Sequence, residues 1–186
     1  MFEKELIFHC APALAGIKTA NLFRYKVLER QGLYKVISLY RQIFQLKGVE
    51  IRILSQNESS VLIYVYRPEK LKKDFNRKRQ RECLQQYGYN VECLEDAIQH
   101  LSQRIEEQNE FPHEIGLFLG FPVEDVLGFI ENKGRNCKYT GCWKVYFDVA
   151  EAEKQFARFK RCTEVYNRCY ERGTDISRLC VNSALI

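Results

Sequence analysis

Hydrophobic residues follow two different periods in the first half of this chain. Between Leu33 and Phe44 they recur at the spacing of a helix, and the preceding segment, 20–30, is also helix-like, with Gly32 as the break between the two. The period then changes to strict alternation from Val49 to Ile53, and after a polar turn a continuous apolar run covers 61–66. The sequence therefore predicts two helices followed by a β-hairpin over 49–66.

Helical patterns dominate the second half, and three of them begin at a proline and end at a glycine. A basic helix is predicted over 69–87, a further amphipathic helix over 94–108, two short helices over 112–119 and 122–133, and a long final helix over 149–172. The segment 143–147 is typical of a strand. Since no repeat or linker interrupts the chain, we expect one α+β, helix-rich domain over residues 1–186. Its small sheet is expected to combine the hairpin 49–66 with the strand 143–147, packed against helices.

Composition narrows the class of protein. The chain of 186 residues is 46% hydrophobic and 28% charged, as in ordinary globular domains. No segment approaches the roughly 20 apolar residues that cross a bilayer, so we expect no membrane span and a cytoplasmic location. In a reducing compartment, eight cysteines are expected to be mainly free thiols.

The net charge of +5 is concentrated in the segment 70–81, which holds seven basic side chains and one acidic side chain. Such a run usually forms a solvated helix face, but it could also bind nucleic acid or an acidic partner. Nucleic acid is disfavoured because Phe75 is the one aromatic residue in the run. A helix-turn-helix pattern over 115–130 is also disfavoured as a DNA reader, because its second helix is acidic.

The N-terminal motif HCAPALAG places Cys10 between an imidazole and a proline. A thiolate needs a nearby positive group or a helix N-terminus to form at neutral pH, and His9 could help. The hypothesis is a turn in which Cys10 is a nucleophile or soft ligand, with His9, Pro12 and Gly16 forming part of a ligand site. The alternative is that Cys10 is a small buried hydrophobe.

A second candidate site begins at the motif PHE. His113 at a helix start suits a general base, and Glu114 could orient it. The following strand region is cationic and aromatic, which favours a planar or anionic ligand, and its candidate binding residues are Lys138, Trp143, Lys144 and Tyr146. The alternative is a core strand whose alternate side chains face water.

Cys137 and Cys142 do not predict a zinc site. Structural zinc requires four ligands, usually as two tight pairs, and the chain offers no second pair with that spacing. We therefore predict no metal ligands and leave the cofactor unassigned. A non-enzymatic metal or haem carrier using Cys10 with a histidine is kept as an alternative.

Four motifs resemble an uncharacterised, mostly clostridial family of bacterial proteins known as a domain of unknown function. They are HCAPALAG at 9–16, FPHEIGLFLGFPVEDVLGFIENKG at 111–134, GCWKVYFD at 141–148 and FARFKRC at 156–162. The resemblance extends over nearly the whole chain, and it implies membership of the family but no catalytic assignment.

The leading functional hypothesis is a small-ligand or thiol-dependent enzymatic site. It would be built from Cys10, His113 and Glu114 as catalytic residues, with the ligand-binding residues named above around them. Its ligand would be small and anionic or planar. The sequence leaves open whether the protein is an enzyme, and it does not indicate an oligomeric state.

Overall fold

The computed structural model describes residues 2–27, 29–107 and 111–182. The chain divides into two compact units, the first formed by residues 1–71 and 161–186 and the second by residues 72–160. The expectation of one domain over 1–186 stays a prediction. The α+β, helix-rich class is confirmed, because most elements are helices and the strands form two small antiparallel sheets.

The first unit is built on a three-stranded antiparallel sheet. Its strands are β1 (Ala20–Lys26), β2 (Glu50–Asn57) and β3 (Ser60–Tyr66), in the order β1-β3-β2. β2 and β3 form the predicted hairpin, with a bulge between Ile53 and Ser55. All seven residues of β3 are buried, which agrees with its continuous apolar sequence.

Two helices pack on this sheet, α1 (Phe2–Leu14) on β1 and α2 (Arg30–Gln45) on β2. α1 contributes a stripe at intervals of four residues, which consists of Phe2, Leu6, Cys10 and Leu14, all buried in the core. α2 adds Leu33, Ile37 and Phe44 to the same core. The short helix α9 (Ile176–Leu179) completes this core with Ile176.

The C-terminal end of α1 is held by a buried arginine from the residue after β3. The Arg67 guanidinium, 1% exposed, donates to the carbonyls of Ala13 at 2.6 Å, Leu14 at 2.7 Å and Val181 at 2.8 Å. Carbonyls at a helix C-terminus lack partners within the helix and carry its negative dipole end, so a cation is favoured there. Arg67 therefore links α1, the sheet and the C-terminal segment.

The second unit contains most of the remaining helices. They are α4 (Lys78–Gln86), α5 (Leu94–Glu107), α6 (Ile115–Phe118) and α7 (Val123–Glu131). α3 (Pro68–Phe75) and α8 (Val149–Glu171) each contribute residues to both units. Aromatic rings connect these helices, because Phe75 meets Phe118 edge-to-face at 5.0 Å and Phe118 meets Tyr89 at 5.1 Å.

A small hairpin, β4 (Tyr139–Thr140) with β5 (Lys144–Val145), is the second sheet and belongs to the second unit. The expectation that the segment 143–147 joins the sheet of the 49–66 hairpin is therefore wrong. The segment pairs with the neighbouring strand β4 instead, because Gly141 and Cys142 allow a tight local turn. In this turn the Gly141 N–H donates a hydrogen bond to the Trp143 carbonyl at 3.0 Å.

The segment that contains β1, residues 20–30, was predicted as a helix. Within this segment, residues Ala20–Lys26 instead form β1, and each of them pairs with β3. Its aromatic residues Phe23 and Tyr25 suit a pleated surface, so pairing with a buried strand overrides a weak helical period. The prediction was wrong because its pairing partner lies some forty residues further along the chain.

Apart from α1 and α9, which the sequence did not predict, the other helices occur close to their predicted positions, with two differences. The basic helix 69–87 is divided into α3 and α4, since Arg77 has an extended backbone and begins α4 as its N-cap. The helix predicted over 112–119 is reduced to the single turn α6. α5, α7 and α8 confirm the remaining helical predictions to within a few residues.

Candidate ligand-binding site

The candidate site is a cavity of about 350 Å³ within the second unit. Four aromatic rings contribute to its wall, those of Phe111, Phe121, Phe129 and Trp143. Its polar side chains come from His113, Asp125, Thr140 and Lys144. A volume of a few hundred Å³ with a mainly apolar wall and a few polar groups is typical of sites for small molecules.

Trp143 is the centre of the aromatic wall. Its indole stacks on Phe121 with ring centroids 4.7 Å apart, and the ring of Phe156 from α8 meets it edge-on at 4.5 Å. These are the preferred geometries of aromatic pairs, so the rings hold each other in place. Gly141 makes this packing feasible, because a Cβ atom there would lie 2.2 Å from the Phe156 ring.

A buried carboxylate fixes Trp143 from the other side. Asp125, at the third position of α7, accepts the indole N–H of Trp143 at 2.8 Å through Oδ2. Its Oδ1 accepts the backbone N–H groups of Tyr146 at 2.8 Å and Phe147 at 2.9 Å. The first turn of a helix favours a negative charge, and three donors compensate for its burial. Asp125 therefore joins α7 to the hairpin and orients the indole.

Lys144 places a positive charge at the same cavity. Its ammonium donates to the Gly134 carbonyl at 2.6 Å and lies 5.7 Å from the centre of the Phe129 ring. His113 is exposed to solvent and lines the same cavity, with its ring 4.9 Å from that of Phe129 in an edge-to-face arrangement. An imidazole and an ammonium thus line one aromatic cavity.

Three of the residues predicted for the site therefore share a cavity, namely His113, Trp143 and Lys144. Two other predicted ligand residues stabilise the hairpin instead. Lys138 donates to the Phe147 carbonyl at 3.2 Å, and the Tyr146 hydroxyl donates to the Arg135 carbonyl at 2.9 Å. Their partners are backbone groups of the surrounding loops, which gives both side chains a structural role.

Glu114 is buried and takes part in an ion pair rather than orienting His113. Its Oε1 accepts from the Arg104 guanidinium at 2.7 Å and from the Tyr89 hydroxyl at 2.8 Å. Burial and the nearby Glu114 carboxylate raise the pKa of Tyr89. A base–orienter pair of His113 and Glu114 gains no support from this geometry, because the observed contacts of the carboxylate join α5 to the segment preceding α6.

The N-terminal motif forms the interior of α1, not the predicted turn. Cys10 is fully buried in the core of the first unit, and burial raises the pKa of its thiol well above its usual range. Both facts oppose a thiolate nucleophile, because the reactive form is charged and must be reached by substrate. The i, i+4 spacing of Phe2, Leu6 and Cys10 was the signal that could have identified this thiol as part of the core.

The other N-terminal candidates also have structural roles. His9 lies on α1, stacks on Phe23 at 5.0 Å and approaches Glu5 to 3.3 Å. The Pro12 carbonyl accepts from Ile17 and Lys18, and Gly16 adopts a positive φ of 73° where the helix ends. This geometry terminates α1, as expected of a glycine that follows a helix.

Asp125 and the phenylalanines of the wall are the functional candidates that the sequence did not reveal. Asp125 looked like an ordinary acidic residue in the first turn of a helix, and its bond to Trp143 spans 18 positions. Phe121 and Phe129 fitted a helix-turn-helix core. The small residue at Gly116 was the available signal, since a Cβ there would lie 2.7 Å from Val126 and 3.1 Å from Phe121.

The basic segment carries less unpaired charge than its sequence indicates. Its three arginines all meet acidic side chains: Arg77 pairs with Asp74, Arg79 with Glu124, and Arg81 with Glu92. Binding of nucleic acid or an acidic partner through this segment stays a prediction. Each arginine that is already paired weakens this prediction, since phosphate binding depends on unpaired cations.

Metal-ligand clusters and membrane-spanning helices are both absent from the described part of the chain. Within residues 2–27, 29–107 and 111–182, no three His, Cys, Asp or Glu side chains are grouped so that they could hold a metal ion. A metal or haem carrier remains a prediction from the sequence alone. Among the helices in those same ranges, none has the length and apolar character needed to cross a membrane.

Comparison with known proteins identifies the family but not an activity. The model of the family DUF3793, described as a protein of unknown function, matches residues 6–180. No curated protein and no solved structure matches the chain. The motifs at 9–16, 111–134, 141–148 and 156–162 all lie inside the matched segment. The chain therefore belongs to the DUF3793 family, whose function is unknown.

Proposed function

We propose that this protein binds a small planar ligand in the aromatic cavity of its second unit. The observation that carries the proposal is the wall itself, a cavity of about 350 Å³ with the rings of Phe111, Phe121, Phe129 and Trp143 around it. Flat aromatic molecules gain both apolar burial and favourable ring contacts in such a place. Non-planar molecules of the same size gain only the burial.

The support is stronger for binding than for catalysis. The cavity provides rings, an imidazole and an ammonium, while Cys10, the thiol proposed as nucleophile, is sealed in the apolar core of the first unit. His113 is available as a base, but the carboxylate next to it in sequence is paired with Arg104. The hypothesis of a binding protein thus requires fewer assumptions than the hypothesis of a thiol-dependent enzyme. Its cytoplasmic location stays a prediction from the sequence.

Isothermal titration calorimetry tests the planarity requirement directly. The two probes are 2-naphthamide and its fully saturated counterpart, decahydronaphthalene-2-carboxamide, which have the same polar group but differ in flatness. We expect 2-naphthamide to bind more tightly, since only the flat ring can lie against the aromatic wall. Equal affinities for the two probes, or no binding of either, would contradict the proposal.

A pair of phenylalanine variants locates the binding. Phe121→Ala removes one ring of the wall and should lower the affinity for 2-naphthamide by about five-fold or more, the equivalent of ~1 kcal/mol for a lost aromatic contact. Phe147→Ala is the matched control, because this side chain is 66% exposed and does not belong to the cavity wall. Circular dichroism verifies that both variants are folded. If both substitutions have the same effect on affinity, the probe binds elsewhere.

A further inference from the structure

The charge of Lys144 carries more information about the ligand than the aromatic wall alone. Its side chain is half-buried at the cavity, and its ammonium contacts a neutral carbonyl, that of Gly134, and the face of Phe129. Among the residues that the structure describes, no carboxylate forms an ion pair with this ammonium. A partly desolvated cation with only neutral contacts favours a negative partner.

Among the residues that the structure describes, one acidic side chain lines the cavity, and it is already engaged. Asp125 accepts three hydrogen bonds, from Trp143 and from the backbone of Tyr146 and Phe147. Its charge also lies in the first turn of α7, where the helix dipole stabilises it. Asp125 is thus stabilised without Lys144, and the ammonium keeps hydrogen-bonding capacity, because it has three N–H donors and uses one for Gly134.

We infer that the ligand of this cavity is an aromatic acid, in which a flat ring carries a carboxylate that Lys144 binds. This inference rests on the proposed function and specifies its ligand class. The ring would lie against the aromatic wall while the carboxylate accepts from the free N–H groups of Lys144. His113, which lines the same cavity, offers a further ring N–H to the acid.

Calorimetry with 2-naphthoate and 2-naphthamide tests the charge while keeping the ring constant. The wild-type protein should bind the carboxylate about five-fold or more tightly than the amide, as expected for a partly buried ion pair. In Lys144→Gln this preference should disappear, and in Lys144→Arg it should persist, because arginine keeps the charge. Lys138→Gln is the matched control, since Lys138 also donates to a backbone carbonyl, that of Phe147, yet lies outside the cavity wall.

The possible outcomes separate the two proposals. If both probes bind wild-type protein equally, the anionic ligand is refuted while planar binding stands. If the preference for 2-naphthoate survives in Lys144→Gln, or is lost equally in Lys138→Gln, the binding of the carboxylate by Lys144 is refuted while planar binding again stands. If neither probe binds, the proposed function itself fails, and the inference fails with it. The wild-type comparison of the two probes tests the anionic ligand even if a Lys144 variant does not fold.

Discussion

Replacing Asp125 by alanine should destabilise the second unit more than any other single truncation of an acidic side chain in α7. The substitution removes the acceptor of three N–H donors, the indole of Trp143 and the backbone groups of Tyr146 and Phe147. A hydrogen bond to a charged group contributes about 1.5–3 kcal/mol. The buried indole loses its full bond, whereas the two partly buried amides regain some solvation, so the expected loss is about 3–5 kcal/mol.

The neighbouring residue provides a matched control. Glu124 lies in the same turn of α7 and pairs with Arg79, but the two side chains are 32% and 60% exposed. Exposed ion pairs contribute about 0–1 kcal/mol, so Glu124→Ala should lower the free energy of unfolding by no more than that. Both substitutions remove one carboxylate from the first turn of the same helix, so the loss of the dipole interaction is common to both.

Urea unfolding followed by far-ultraviolet circular dichroism measures the difference. We expect the midpoint of Asp125→Ala to fall well below that of Glu124→Ala, with Asp125→Asn in between. The amide that Asp125→Asn introduces keeps one acceptor oxygen for the backbone donors but turns a donor towards the indole. If Asp125→Ala and Glu124→Ala lose the same free energy, within about 1 kcal/mol, then the three hydrogen bonds do not anchor the site and this reasoning is refuted.

Two further predictions concern the first unit. During brief alkylation of the native protein at pH 8, Cys10 should be the last thiol to react and the exposed Cys142 among the first, because burial shields the Cys10 thiol and raises its pKa. Mass mapping that finds Cys10 modified early would contradict this prediction. Replacing Arg67 by methionine should lower the free energy of unfolding by about 3 kcal/mol or more, because three carbonyls lose a charged donor. Arg24→Met, at an exposed residue with one bond to Ser60, should cost less than about 1 kcal/mol, and equal losses would refute the capping role of Arg67.

Local patterns predicted most of the helices, and long-range pairing explains the main errors. α2, α5, α7 and α8 each carry their own period and end signals, so the sequence places them well. β1 was misassigned because its strand character comes from pairing with β3, which no local window contains. Strand 143–147 was detected, but not its partner, because β4 has only two residues and no alternating pattern.

The candidate site was predicted in part, for a related reason. Trp143, Lys144 and His113 were selected by their chemistry, and the cavity contains all three. Cys10 was selected by chemistry as well, but it is buried because it belongs to the apolar stripe that α1 packs against the sheet. This stripe was not recognised, because the segment was predicted as a turn rather than a helix. Asp125 was overlooked because a buried carboxylate and an exposed one look alike in sequence, and only its distant donors distinguish them.

The indole N–H signal of Trp143 in a proton–nitrogen correlation spectrum tests the central claim most directly. The chain contains one tryptophan, so this signal is assigned without further work, and Trp143 lines the cavity. On titration of the wild-type protein with 2-naphthoate, we predict a progressive shift of this signal that saturates with the affinity measured by calorimetry. A probe that binds by calorimetry while the indole signal stays unchanged would show that its site lies elsewhere and would contradict the account.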